Sequence, residues 1–108
     1  VEHLNSLSLE AQTLYLRDMA LIGRAVEEVT GCKRIMYGIF GGLHPVLHSH
    51  IMPRYGWEGE GFKRDVGHAY LHRFEPEYLF SPERHGGLQQ RLRVRLLELM
   101  VAANVLPE

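Results

Sequence analysis

Hydrophobic and polar positions along the chain change period four times, and each change marks an element. From Ser8 to Gly31, "SLEAQTLYLRDMALIGRAVEEVTG" repeats apolar residues every three or four positions, which predicts an amphipathic helix. Leu14, Leu21, Ile22, Ala25 and Val29 fall on one face of it. Ser8 is placed to cap its start, Glu10 sits where the helix dipole favours an acid, and Gly31 is placed to end it. Over ~22 residues such a helix is ~33 Å long.

The pattern then turns strand-like. "KRIMYGIF", residues 33–40, is apolar on both faces and bounded by Gly41 and Gly42, as a buried strand would be. "GGLHP" has turn chemistry, and "VLHSHIMPR", residues 46–54, reads as a second strand. Residues 33–54 thus predict a hairpin with a loop of a few residues and Pro53 near its end, where a missing backbone donor is tolerated. "YGWEGEGFKRD", residues 55–65, is a glycine-rich charged loop, and "VGHAYLHRF", residues 66–74, is a further strand or extended segment. Ser81 and Pro82 suit a helix start, Gly86-Gly87 suggests an interruption, and Leu88, Leu92, Leu96, Leu99 and Ala103 form a closing apolar stripe. The fold class expected is α+β: one domain over residues 1–108, an antiparallel sheet with a long helix packed on it and a C-terminal helix. Tyr37 and Ile39 are expected in the core, Trp57 packed on the sheet, and "RLRVR" on a solvated helix face.

Composition narrows the function. A chain of 108 residues is one domain, and 45 % apolar residues suffice for a core. A formal charge of −1 argues against a nucleic-acid module driven by bulk positive charge. A single cysteine, Cys32, excludes an internal disulfide and fits a reducing compartment, so the cytoplasm is the expected location. No apolar run approaches the ~18 residues a membrane span needs. The first residue is Val1, not Met, which suits a fragment or a processed product.

The chemistry concentrates in "HPVLHSHIMPRY", residues 44–55, where His44, His48 and His50 fall close together. On a strand, residues i and i+2 share a face ~6.6 Å apart, so Val46, His48, His50 and Met52 are expected on one face and Leu47, Ser49 and Ile51 on the other. Two chemistries suit paired imidazoles. In one, a ring attacks a phosphoryl centre while the other donates to its oxygens; imidazole is a good nucleophile near its ordinary pKa of ~6.5. In the other, the pair ligates a metal, with His68 and His72 as further ligands. Spacing leaves both open.

"MYGIFGGLHPVLHSHIMPRY" resembles the signature of the histidine triad (HIT) superfamily of nucleotide hydrolases and transferases: His-x-His-x-His, two apolar residues and, in many bacterial members, Pro-Arg. The preceding helix and strand match the family's order of elements, and "VEHLNSLS" resembles its lead into the long helix. The resemblance covers residues 1–55 well and the rest loosely. It implies that His48 is the nucleophile at the α-phosphate of a nucleotide, through a nucleotidyl-histidine that water cleaves. It implies that His50 holds phosphate oxygens or assists the leaving group. The first triad position is Val46, and Gly42 stands where the family commonly has Asn. The chain begins roughly where the family's nucleobase-gripping N-terminal region would end. Gly42, His44, Val46 and Arg54 are the candidate phosphate- and substrate-side residues, His44 as a substitute donor for the one missing at position 46. Lys63 and Arg64 are basic but sit in a charged loop, usually just solvated.

The resemblance implies a homodimer acting on a dinucleoside polyphosphate or a nucleoside phosphoramidate. No metal is needed for the chemistry, although a polyphosphate could arrive with Mg²⁺. No nucleic acid or membrane partner is expected. Two alternatives stand beside this: a nucleotide-binding protein with weakened turnover, and a metal-binding protein built on the histidines.

Overall fold

The first helix, α1, spans Leu9–Thr30 and begins and ends at the residues its sequence marks. The Ser8 side chain accepts a hydrogen bond from the Ala11 N–H at 3.2 Å, and Gly31 leaves the helix at φ 64°, a left-handed conformation suited to glycine. The structure, a computed structural model, describes residues 1–42, 44–60 and 74–106. The expected strand at 66–74, together with His68, His72, Lys63 and Arg64, lies at or beyond the limits of the described residues.

Strand β1 is Arg34–Gly38 and strand β2 is His50–Arg54, paired antiparallel with Met36 opposite Met52 and Gly38 opposite His50. Among the described residues the sheet has these two strands. Both are shorter than their apolar runs suggest. The connection is eleven residues, 39–49, rather than a tight turn, because the Leu47 N–H is taken by the Val1 carbonyl at 2.9 Å instead of by β1. Pro53 stands inside β2 opposite Ile35. Among the described residues each strand pairs along one edge, the setting in which a strand tolerates proline.

Helix α2 spans Pro82–Ala102. Ser81 caps it with reciprocal bonds: its Oγ accepts from the Arg84 N–H at 3.4 Å, and its own N–H donates to His85 Nδ1 at 2.9 Å. The Arg84 guanidinium donates to the carbonyls of Pro76, Glu77 and Leu79, which ties the 3-10 turn Pro76–Tyr78 to the helix. Gly86-Gly87 does not interrupt α2, contrary to its sequence signal. The cap and Pro82 nucleate the helix ahead of the glycines, and the leucine stripe carries it past them.

The α+β architecture is organised around α1, which packs against both strands and against α2. Met19, Gly23 and Ala25 are its buried residues, and Cys32 is buried just before β1. Of the expected face Ala25 is buried and Leu21, Ile22 and Val29 are half-buried, while Leu14 is exposed and Met19 and Gly23 are buried instead. Gly23 is buried because the end of the Tyr37 side chain lies on it, and a Cβ there would overlap the Tyr37 hydroxyl. Tyr37 is nonetheless half-exposed, and Trp57 is not packed on the sheet but stacks on Tyr55 with centroids 5.1 Å apart, its outer face open. The Arg95 guanidinium on α2 donates to the Glu28 carboxylate on α1, which holds Glu28 below its ordinary pKa and raises that of Arg95. No described helix is long and apolar enough to cross a membrane.

Two glycine substitutions are expected to differ in sign. Gly86 has open space where a Cβ would be, so Gly86→Ala gains helix propensity of about 1 kcal/mol and raises the melting temperature. Gly23→Ala gains the same propensity but displaces Tyr37, and is expected to lower the melting temperature. Thermal melts followed by circular dichroism check both, and a higher melting temperature for Gly23→Ala would contradict the packing of Tyr37.

Candidate active site

The histidines are positioned by the end of β1 and the loop that follows. Gly38, opposite His50, has no side chain, and the Phe40 ring folds into the space where its Cβ would be. From there Phe40 packs against His50, centroids 5.4 Å apart at 41°. His50 meets His48 edge-on at 5.3 Å, and His48 meets His44 edge-on at 6.0 Å. Three imidazoles therefore stand in a row, His44, His48 and His50, with Phe40 closing one end. His44, singled out as a substitute donor, reaches the central ring although it lies out of phase with the other two.

The central ring has a defined proton arrangement. His48 Nδ1 lies 2.7 Å from the Val46 carbonyl oxygen. A carbonyl only accepts, so Nδ1 must donate, and the neutral ring then carries its lone pair on Nε2. That is the reverse of a histidine whose Nδ1 is left to accept. Val46 thus takes part through its backbone. Its side chain is 63 % exposed at the rim and offers no hydrogen bond.

His48 lines a cleft of about 300 Å³, at the small end of ligand-sized cavities. The other walls are Ile39, Phe40 and Gly41 from the loop, Val46 and Leu47 beside His48, and Glu2, His3, Leu4 and Asn5 from the N-terminal segment. Val46, Leu47 and His48 all line it, so strict alternation fails here. Residues 44–49 belong to no ladder, and His50 is the first residue of β2. Gly41 rather than Gly42 faces the cleft, and Ile39 is a wall residue rather than core.

Arg54 is not brought to the histidines. It lies at the far end of β2, four residues or ~13 Å of strand from His50. Its guanidinium, largely buried, pairs with Glu58 at 3.3 Å, and Glu58 also accepts the Tyr55 N–H at 2.7 Å. That pairing closes the turn after β2. Among the described residues no group of three His, Cys, Asp or Glu side chains is disposed to hold a metal ion; His68 and His72 lie outside them.

Glu2, His3, Asn5 and Phe40 are the site residues that pattern and motif do not reveal. Residues 1–5 reach the cleft through the Val1–Leu47 main-chain bond, a long-range contact with no signature in side-chain identity. The trace that exists is the polar run ahead of the Ser8 cap.

In comparisons with family models, with curated proteins and with solved structures, nothing matches the chain. The site therefore rests on its own geometry, and its most specific feature is open to measurement. In long-range ¹H–¹⁵N spectra above pH 8, His48 is expected as the Nδ1–H tautomer. An Nε2–H pattern for that ring would contradict the bond to Val46.

Proposed function

We propose that the chain is a nucleotide hydrolase or nucleotidyl transferase that attacks the α-phosphate of a nucleotide conjugate through His48, with a HIT-like fold. The observation that carries this is the His48 Nδ1–Val46 hydrogen bond, because it leaves a nucleophilic lone pair on Nε2 of a ring that lines a cleft. Attack by Nε2 forms the P–N bond and expels the leaving group. Water then cleaves the nucleotidyl-histidine and restores the ring. His50, in edge contact with His48, is suited to hold the non-bridging oxygens or assist the leaving group, where aimed donors lower the barrier. His44, in edge contact with His48, is the candidate for the donor that Val46 lacks. The substrates in view are a dinucleoside polyphosphate, with Mg²⁺ if it arrives as the complex, and a nucleoside phosphoramidate.

The same reading takes the working form as a homodimer in the cytoplasm. Supporting the dimer, Met19, Ala25 and Cys32 are the buried apolar residues among those described, while Leu9, Leu16, Val94 and Leu97 remain exposed. A second copy would cover apolar surface that a chain of this size leaves open.

Variants test the roles. His48→Ala is expected to abolish cleavage of a labelled nucleotide in a single-turnover assay while the fold persists. His50→Ala should cost about 10²-fold, the loss typical of one oxyanion donor. His44→Ala should lower kcat/KM about 10-fold, or ~1.4 kcal/mol of transition-state stabilisation. Val46→His should bring no gain, since His44 already stands beside His48. Parent-like turnover by His48→Ala would remove the nucleophile assignment. A gain with Val46→His, with no loss in His44→Ala, would show that position 46 limits the chemistry.

A further inference from the structure

One ring of the cleft is not used by the chemistry above. His3 lines the same cleft as His48 and comes from the N-terminal segment. Three hydrogen bonds hold it there. The Leu47 N–H donates to the Val1 carbonyl at 2.9 Å, which fastens the segment two residues before His3 to the chain one residue before His48. The Ser6 hydroxyl lies 3.3 Å from His3 Nδ1, and the Ser6 N–H donates to the His3 carbonyl at 3.0 Å, closing the 3-10 turn Leu4–Ser6 on which the residue is mounted.

The partners of the two Nδ1 atoms differ in kind. The carbonyl at His48 Nδ1 only accepts, so the neutral His48 ring has its lone pair on Nε2. The hydroxyl at His3 Nδ1 can also accept, so it suits a ring protonated on both nitrogens, with Nδ1–H donating to Ser6 and Nε2–H left to give. The cleft thus holds one imidazole with a lone pair to attack and a second ring that, as the imidazolium, can give a proton. The two rings come from separate segments of the chain, and an in-line displacement needs one group to attack and another at the departing side. A cavity of about 300 Å³ is ~8 Å across if taken as round, room for a phosphoryl group.

We propose that His3 is the general acid for the leaving group in the reaction assigned to His48, a proposal that rests on that assignment. His48 Nε2 forms a bond to phosphorus as the bond from phosphorus to the leaving oxygen or nitrogen breaks. The leaving atom keeps the electron pair and takes the Nε2 proton of the His3 imidazolium, which becomes the neutral ring. In the second half, water attacks phosphorus, the P–N bond to His48 breaks, and the water's proton returns to His3. The sum is substrate plus water giving nucleoside monophosphate and the protonated leaving group, with both rings restored.

The test is leaving-group dependence, which a merely structural role would not move. Aryl esters of nucleoside 5′-monophosphates, from 4-nitrophenyl to unsubstituted phenyl, are assayed as adenosine and as uridine compounds with the parent, His3→Gln and Ser6→Ala. General acid catalysis contributes typically 10²–10⁴-fold and is needed most by the poorest leaving group. His3→Gln is expected to lose about 10²-fold on the phenyl ester and less than about 3-fold on the 4-nitrophenyl ester, with an unchanged melting temperature. Ser6→Ala should show the same trend at smaller size. An equal loss across the series, or none, would overturn the role of His3 while His48-dependent cleavage of the 4-nitrophenyl ester by the parent left the nucleophile in place. Absence of His48-dependent cleavage of any ester by the parent would overturn both.

Discussion

Both strands and α2 are placed against α1. The helix is held at both ends by its own sequence, and it presents a buried strip, Met19, Gly23 and Ala25, to its neighbours. The strip is narrow because a glycine sits in its middle. That glycine lets the Tyr37 ring lie against the helix backbone, which fixes the approach of β1. The register of β1 against β2 sets Gly38 opposite His50, and the space at Gly38 admits Phe40. The orientation of His50, and of His48 beside it, follows from that packing. A missing side chain at two glycines thus links the main helix to the candidate chemistry.

Local rules were enough where local forces decide. The cap at Ser8, the left-handed end at Gly31, the start of α2 at Ser81 and the α+β class could all be read from residue order, since each depends on contacts within a few positions. The run at 46–54 shows where such rules stop. Its apolar alternation is that of a strand, yet pairing starts only at His50, because Leu47 bonds to Val1. Gly86-Gly87 shows the reverse case: a local signal for a break is overridden by the cap before it and the packed stripe after it.

The histidines were legible from spacing, but their arrangement was not. Period-2 reasoning pairs His48 with His50 and gives no reason for His44 to join them, which it does because residues 44–49 are irregular. Arg54 has the right charge and the wrong end of the strand. The proton arrangement on His48 depends on the carbonyl of Val46, a backbone atom that every residue type carries. Sequence reading saw the missing imidazole at position 46, whereas the structure uses that residue's main chain to orient the next one.

The central claim is that Nε2 of His48 becomes covalently bonded to phosphorus. Protein mixed with a nucleoside 5′-(4-nitrophenyl) phosphate, quenched within the first turnover in base and weighed intact, is expected to carry one nucleoside monophosphate. A phosphorus–imidazole bond survives base and is lost in acid, and fragmentation should place the added mass on His48. Turnover without any adduct, or an adduct on another residue, would contradict the account.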